Sequence, residues 1–141
     1  MDFIQGKRIV LSRPEIEFMQ KIAANLNTPR TIKRFVNIYR LIKAHRSYKF
    51  IADTQKMDFV PTMLLLSVII GCPDSAHDFL ERLRDEKFNP LLIDFIQKLE
   101  DDTLKAFFIR ISDPEIDRLV VVELRENLDL ISRFSFRTYL A

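Results

Sequence analysis
The sequence predicts an all-α protein, a compact bundle of about six or seven helices with a possible short strand at its amino end. Three observations carry this reading. Apolar residues recur at three- and four-residue spacing through most of the 141 residues, the period of a helix with one buried face. Proline or a short polar residue stands at the start of most such stretches, where a helix tolerates proline and gains from a side-chain acceptor. Only Gly6 and Gly71 are glycine, too few for the tight turns, bulges and phosphate-cradling loops of most strand-to-helix enzyme folds.

Taken in order, Asp2 to Leu11 sets Gly6 between short apolar pieces and reads as an extended lead-in or a short strand. Ser12-Arg13-Pro14-Glu15 is a capping box, serine at the cap and glutamate three residues on. Ile16, Met19, Ile22, Ala23 and Leu26 are expected to form the buried stripe that follows. The next helix starts at Thr28-Pro29 and is expected to reach His45 or beyond. At about 100° per residue, Ile32, Phe35, Val36, Tyr39 and Ile42 gather on one side of it, and Arg30, Lys33, Arg34 and Asn37 on the other. Arg46 to Asp58 reads as a polar connector. From Pro61 a helix apolar nearly all round (Met63 to Ile70) is the expected centre of the core, ended by Gly71-Cys72-Pro73.

The back half continues in the same way. Asp74 to Arg84 is expected to turn Ala76, Phe79, Leu80 and Leu83 inward, and Asn89-Pro90 opens a helix with Leu91, Leu92, Phe95, Ile96 and Leu99. An acidic break at Glu100-Asp101-Asp102 precedes a short helix with Leu104, Phe107, Phe108 and Ile111. Ser112-Asp113-Pro114-Glu115 repeats the capping box and is expected to start one last long helix through Leu128. The alternation in Ile131 to Ala141 fits a docking tail. No repeat at solenoid spacing occurs.

Length and composition fit a single helical domain over residues 1–141, with 48% hydrophobic and 30% charged residues ruling out a disordered tail. Within it, charge is unevenly laid out. Residues 1–57, a lead-in and a basic helical pair, hold twelve Lys and Arg against four Asp and Glu. Residues 58–141 hold ten against sixteen, so a net charge of +2 conceals a basic front and an acidic back. Such a split fits an anionic partner for the front, or two halves facing each other. Cys72 is the only cysteine, so no internal disulfide forms, and the longest apolar run is far short of the roughly 20 residues of a spanning helix. No signal peptide is visible, and the expectation is a cytoplasmic protein without membrane partners.

Chemistry-bearing motifs are scarce. Neither glycine sits in a Gly-Lys-Ser/Thr loop. Leu91-Leu92-Ile93-Asp94 and Val120-Val121-Val122-Glu123 resemble apolar strands ending in a magnesium-binding acid, but both follow helix-start prolines and read as helix faces with an outward acid. His45, His77 and Cys72 have no ligand spacing, so no metal site and no catalytic residue are expected. Cys72 beside Pro73 reads as a small core residue. Arg30 is the unusual choice. It stands in a first helical turn, where the dipole disfavours cations and an anion is at home, so a phosphate would offset its cost.

Ser12-Arg13-Pro14-Glu15-Ile16-Glu17-Phe18-Met19, followed by Asn27-Thr28-Pro29-Arg30-Thr31-Ile32-Lys33-Arg34-Phe35-Val36-Asn37-Ile38-Tyr39-Arg40-Leu41, resembles the helical region after the ATPase core of KAP-type P-loop NTPases. The likeness spans residues 11–46 and, more loosely, 61–80. It implies a lid in which Arg30 acts like the sensor-2 arginine of AAA+ proteins, reaching the γ-phosphate of ATP. Lys33 and Arg34 would then support the phosphate or a neighbouring subunit, with Asn37 and Arg40 in supporting places. The NTPase core is missing from these residues, so ATP and magnesium are implied only where such a core is joined, in cis or in trans.

The function expected is therefore a lid and interaction region that couples nucleotide state to partner binding or assembly, without catalysis of its own. Its partner would be an NTPase core or another protein subunit. The alternative is a small helical nucleic-acid-binding protein that uses Arg30, Lys33, Arg34, Arg40, Lys43 and Arg46 on phosphate backbones. A simple solvated basic face is the third possibility.

Overall fold
The computed structural model describes residues 10–49, 59–111 and 113–131. Eight helices follow one another there: α1 (Arg13–Ala23), α2 (Pro29–Lys49), α3 (Phe59–Gly71), α4 (Pro73–Asp85), α5 (Leu92–Lys98), α6 (Asp102–Ile111), α7 (Pro114–Arg118) and α8 (Val121–Arg125). The all-α bundle is as expected. The lead-in through Ile9, the end of the connector and the tail from Ser132 lie outside the described residues.

The bundle is built around α3. This helix has no polar face, and every residue from Val60 to Ile69 is buried. Helices α1, α2, α4 and α8 pack against it. Its two hydroxyls are satisfied inside the core: Ser67 donates to the Leu64 carbonyl at 2.8 Å and Thr62 donates to Asn127 Oδ1 at 3.2 Å. Gly71 ends α3 where helices crowd. A Cβ there would sit 3.1 Å from Leu26 Cδ2, 3.2 Å from Phe107 Cε1 and 3.3 Å from the Asn25 carbonyl oxygen. Only a glycine allows that approach without displacing a neighbour.

The outer helices are amphipathic. Helix α4 buries Ala76, Phe79, Leu80 and Leu83, as its period requires. The Phe79 ring lies 6.1 Å from Phe95 and 6.2 Å from Phe108, a tilted cluster joining α4, α5 and α6. Such ring pairs contribute about 0.5–1.5 kcal/mol beyond the apolar area they bury. Helix α6 buries Leu104, Phe107, Phe108 and Ile111, and begins where Asp101 accepts from the Leu104 N–H at 3.0 Å. Among the described residues no helix is long and apolar enough to cross a membrane.

Three expectations are corrected. In α1 the expected Ile22 is buried, but Glu15 and Phe18 join it in the interior while Ile16 remains 43% exposed. The cause is polar: Glu15 is drawn inward by side chains of α2. Leu91 is outside its helix, 41% exposed, and forms an isolated antiparallel bridge with Val120. The single long helix after Ser112 is instead α7, α8 and a further helical stretch at 128–131. At Leu119 and Val120 the backbone is extended; the Leu119 carbonyl accepts from the Leu92 N–H at 2.8 Å and the Val121 N–H donates to the Pro90 carbonyl at 2.9 Å. The β-branched Val120 costs little in that extended form. Helix α7 is capped by the Asp113 side chain, which accepts from the Glu115 N–H at 2.8 Å.

Candidate functional site
The outer face of α2 carries the residues of interest. Thr28 caps the helix as its sequence demands, its hydroxyl accepting from the Thr31 N–H at 3.1 Å. The Ile32 N–H is bonded to the Thr28 carbonyl, and Pro29 has no N–H to give. Among the described residues nothing accepts from the Arg30 N–H, so the first turn offers an incoming anion one backbone donor rather than several. Attraction at this end rests on side chains.

Those side chains share a groove. Arg30, Lys33, Arg34, Asn37, Ile38 and Leu41 line an open concavity of about 540 Å³. Four of them are the residues the helical period placed together. Arg40 is exposed on the same helix but lies outside the lining. Two lining residues escaped the sequence reading. Ile38 is buried and forms the apolar part of the wall, and Leu41 is 48% exposed at its far end. The signal for Leu41 was available, because it falls eleven residues after Arg30, on the same stripe. Among the described residues no carboxylate pairs with Arg30, Lys33 or Arg40. Arg34 is half-buried.

Not every cation of the front half faces outward. Lys43, one of the six proposed for nucleic acid, is turned into the protein. Its ammonium donates to Glu15 Oε1 at 2.6 Å and to the Val10 carbonyl at 2.7 Å. Glu15 also accepts from the Ser12 N–H at 2.7 Å and from the Tyr39 hydroxyl. Burial pushes the Glu15 carboxyl up, but the hydrogen bonds from Lys43, Tyr39 and Ser12 outweigh it and hold the group below its ordinary value. This buried node fixes how α1 lies on α2, and so which side of α2 is left to solvent.

The two charge halves touch at one described ion pair. Lys21, in the last turn of α1, donates to Asp113 at the cap of α7. Burial raises the Asp113 carboxyl, but the hydrogen bonds from Lys21 and the Glu115 N–H outweigh it and hold the group below its ordinary value. Asp101 is lowered in the same manner by Ser75 and backbone donors, against the opposing effect of burial. Arg110 Nε donates to Asn25 Oδ1 at 2.5 Å while Asn25 Nδ2 donates to the Phe107 carbonyl at 3.0 Å. Cys72 is buried in the core cluster, and burial pushes its thiol up. Such a thiol is a poor nucleophile. Among the described residues no group of three or more His, Cys, Asp and Glu is placed to hold a metal ion.

The fold and the groove together define an all-α bundle that presents a basic stripe of one long helix. No protein-family model, curated protein or solved structure matches this chain. The resemblance to KAP-type lids stands on the pattern of residues 11–46 and 61–80 alone.

Proposed function
We propose that the chain is a helical lid or interaction region of a P-loop NTPase, coupling nucleotide state to partner binding or assembly, with no catalysis of its own. The observation that supports this most is the convergence of Arg30, Lys33, Arg34 and Asn37 on one groove, with no described carboxylate on Arg30 or Lys33. An arginine fork and a lysine set one turn apart suit a phosphate chain. Held over a transferring phosphoryl group, Arg30 would stabilise transition-state charge and make the position of the bundle depend on the γ-phosphate. ATP and magnesium would come with the core that carries the P-loop. The nucleic-acid reading loses Lys43 to the interior and gains no observation in exchange.

The test uses the chain with a photo-crosslinking residue in place of Asn37. The expected crosslinked partner carries a Gly-Lys-Ser/Thr loop, is captured with a non-hydrolysable ATP analogue more than with ADP, and is lost in Arg30→Ala. The chain alone is expected to hydrolyse no ATP. In the assembled NTPase, Arg30→Ala should lower turnover by about 10²-fold or more. Wild-type turnover in that variant, or a crosslinked partner without a P-loop, overturns the reading. Steeply salt-dependent retention of DNA or RNA in a gel shift would replace it with the nucleic-acid alternative.

A further inference from the structure
The basic stripe of α2 has a counterpart on the same molecule. Helix α4 turns Asp74, His77, Asp78, Glu81 and Asp85 outward, all exposed. Their spacing is i, i+3, i+4, i+7 and i+11. Arg30, Lys33, Arg34, Asn37 and Leu41 repeat that spacing on α2. Each stripe is therefore about 16 Å long at 1.5 Å per residue, straight along its helix, and opposite in charge to the other. Both helices pack on α3. Among the described residues no ion pair joins the two stripes within one copy.

We propose that the α2 stripe of one copy docks on the α4 stripe of a second copy, so that the chain associates with itself head to tail. With the two helices antiparallel, which also opposes their dipoles, Arg30 lies across from Asp85. Lys33 then lies between Asp85 and Glu81, Arg34 is level with Glu81, Asn37 with Asp78, and Leu41 with Asp74 beside the exposed Pro73. The acids of α4 have only local partners to give up. Asp78 meets Arg82 at 3.2 Å and Glu81 meets His77 at 3.3 Å, with every one of these side chains more than half exposed. Exposed i,i+4 pairs of this kind are weak and exchange readily. Asp74 and Asp85 have no described cation. The contact is heterologous, because the surface given by one copy differs from the surface it accepts, so it propagates into a ring or an open chain rather than closing as a two-fold dimer. This proposal rests on the charge layout alone and not on the nucleotide reading.

The test is sedimentation equilibrium of the whole chain against salt, with two variants. One is Arg30→Glu with Lys33→Glu; the other is Glu81→Lys with Asp85→Lys. All four positions are exposed, and circular dichroism checks that each variant folds. At about 50 mM salt the wild-type mass is expected to rise with concentration above the 16.7 kDa of one chain, and the dissociation constant to weaken about tenfold or more by about 500 mM. Each variant alone should remain a monomer, since the facing ends of its two stripes, positions 30 and 33 on α2 and 81 and 85 on α4, then carry like charge. An equimolar mixture of the two should associate again, because each α2 end at 30 and 33 then finds an oppositely charged α4 end at 81 and 85. A wild type that is monomeric at low salt, an association that survives either variant, or a mixture that stays monomeric overturns the proposal. Adding inorganic tripolyphosphate separates the two readings: dispersal of the assembly means that a phosphate chain and α4 compete for α2. Assembly unchanged leaves this proposal standing by itself, and the nucleotide reading is then decided by the Arg30→Ala turnover and crosslinking test.

Discussion
Replacing Glu15 by alanine probes the node that sets the α1–α2 angle. The carboxylate is 5% exposed and receives Lys43 at 2.6 Å, the Ser12 N–H at 2.7 Å and the Tyr39 hydroxyl. A buried charge-assisted bond is worth about 1.5–3 kcal/mol, and the Lys43 side chain, 26% exposed, recovers part of its hydration when released. The hydroxyl bond adds about 1 kcal/mol and the lost half of the capping box about 0.5 kcal/mol. Glu15→Ala is therefore expected to cost about 3 kcal/mol, or about 9 °C in melting temperature for a chain of this length. Glu15→Gln keeps the shape and the acceptor for Ser12 but loses the charge, and should cost about half as much. The pH dependence gives a second readout. Because the folded carboxyl is held below its ordinary value, its contribution is present above about pH 4.3 and is lost as the pH falls through the folded value. Glu15→Gln should flatten that acid limb. Urea and thermal unfolding followed by circular dichroism measure both. A Glu15→Ala variant within about 0.5 kcal/mol of wild type would show that the node contributes no net stability, against the argument from burial.

Other expectations follow from packing and caps. Gly71→Ala should destabilise by about 1 kcal/mol in urea unfolding, since clashes with the buried Leu26 and Phe107 outweigh the entropy gained at a helix end. Arg125 donates to the carbonyls of Leu83, Glu86 and Phe88 at 3.0, 2.7 and 3.4 Å, closing the end of α4. Arg125→Ala should cost about 2 kcal/mol and speed hydrogen exchange at residues 86–91, with Arg125→Lys restoring only part because an ammonium lacks the planar fork. Asp113→Ala loses a cap and an ion pair and should cost about 1–2 kcal/mol. Lys21→Ala loses only the pair, 46% exposed on the lysine side, and should cost under about 1 kcal/mol, an asymmetry that a double-mutant cycle resolves.

Periodicity made most of the helices legible, because burial on one face leaves a trace at every third or fourth residue. Helix α4 and helix α6 bury the four residues their spacing named. The groove was partly legible for the same reason, as Arg30, Lys33, Arg34 and Asn37 share a stripe. Long-range polar contacts leave no such trace. The inward turn of Glu15 depends on Tyr39 and Lys43, 24 and 28 residues away, and a capping box alone does not announce it. The break after Arg118 was missed because Leu119 and Val120 suit a helix by pattern, whereas the Leu119 carbonyl and the Val121 N–H are claimed by Leu92 and Pro90. Tertiary pairing overrode local preference there.

Helix α3 has no side that tolerates water, and it is touched by elements from both ends of the described chain. During synthesis it emerges well before α8, so its apolar surface must wait for about fifty further residues before the last wall arrives. A chaperone that grips greasy helices has its target in that interval. Once closed, the assembly has no peripheral helix among α1, α2, α4 and α8 that can peel away without wetting the centre, which makes loss of structure an all-or-nothing event despite the contrast in charge between the halves.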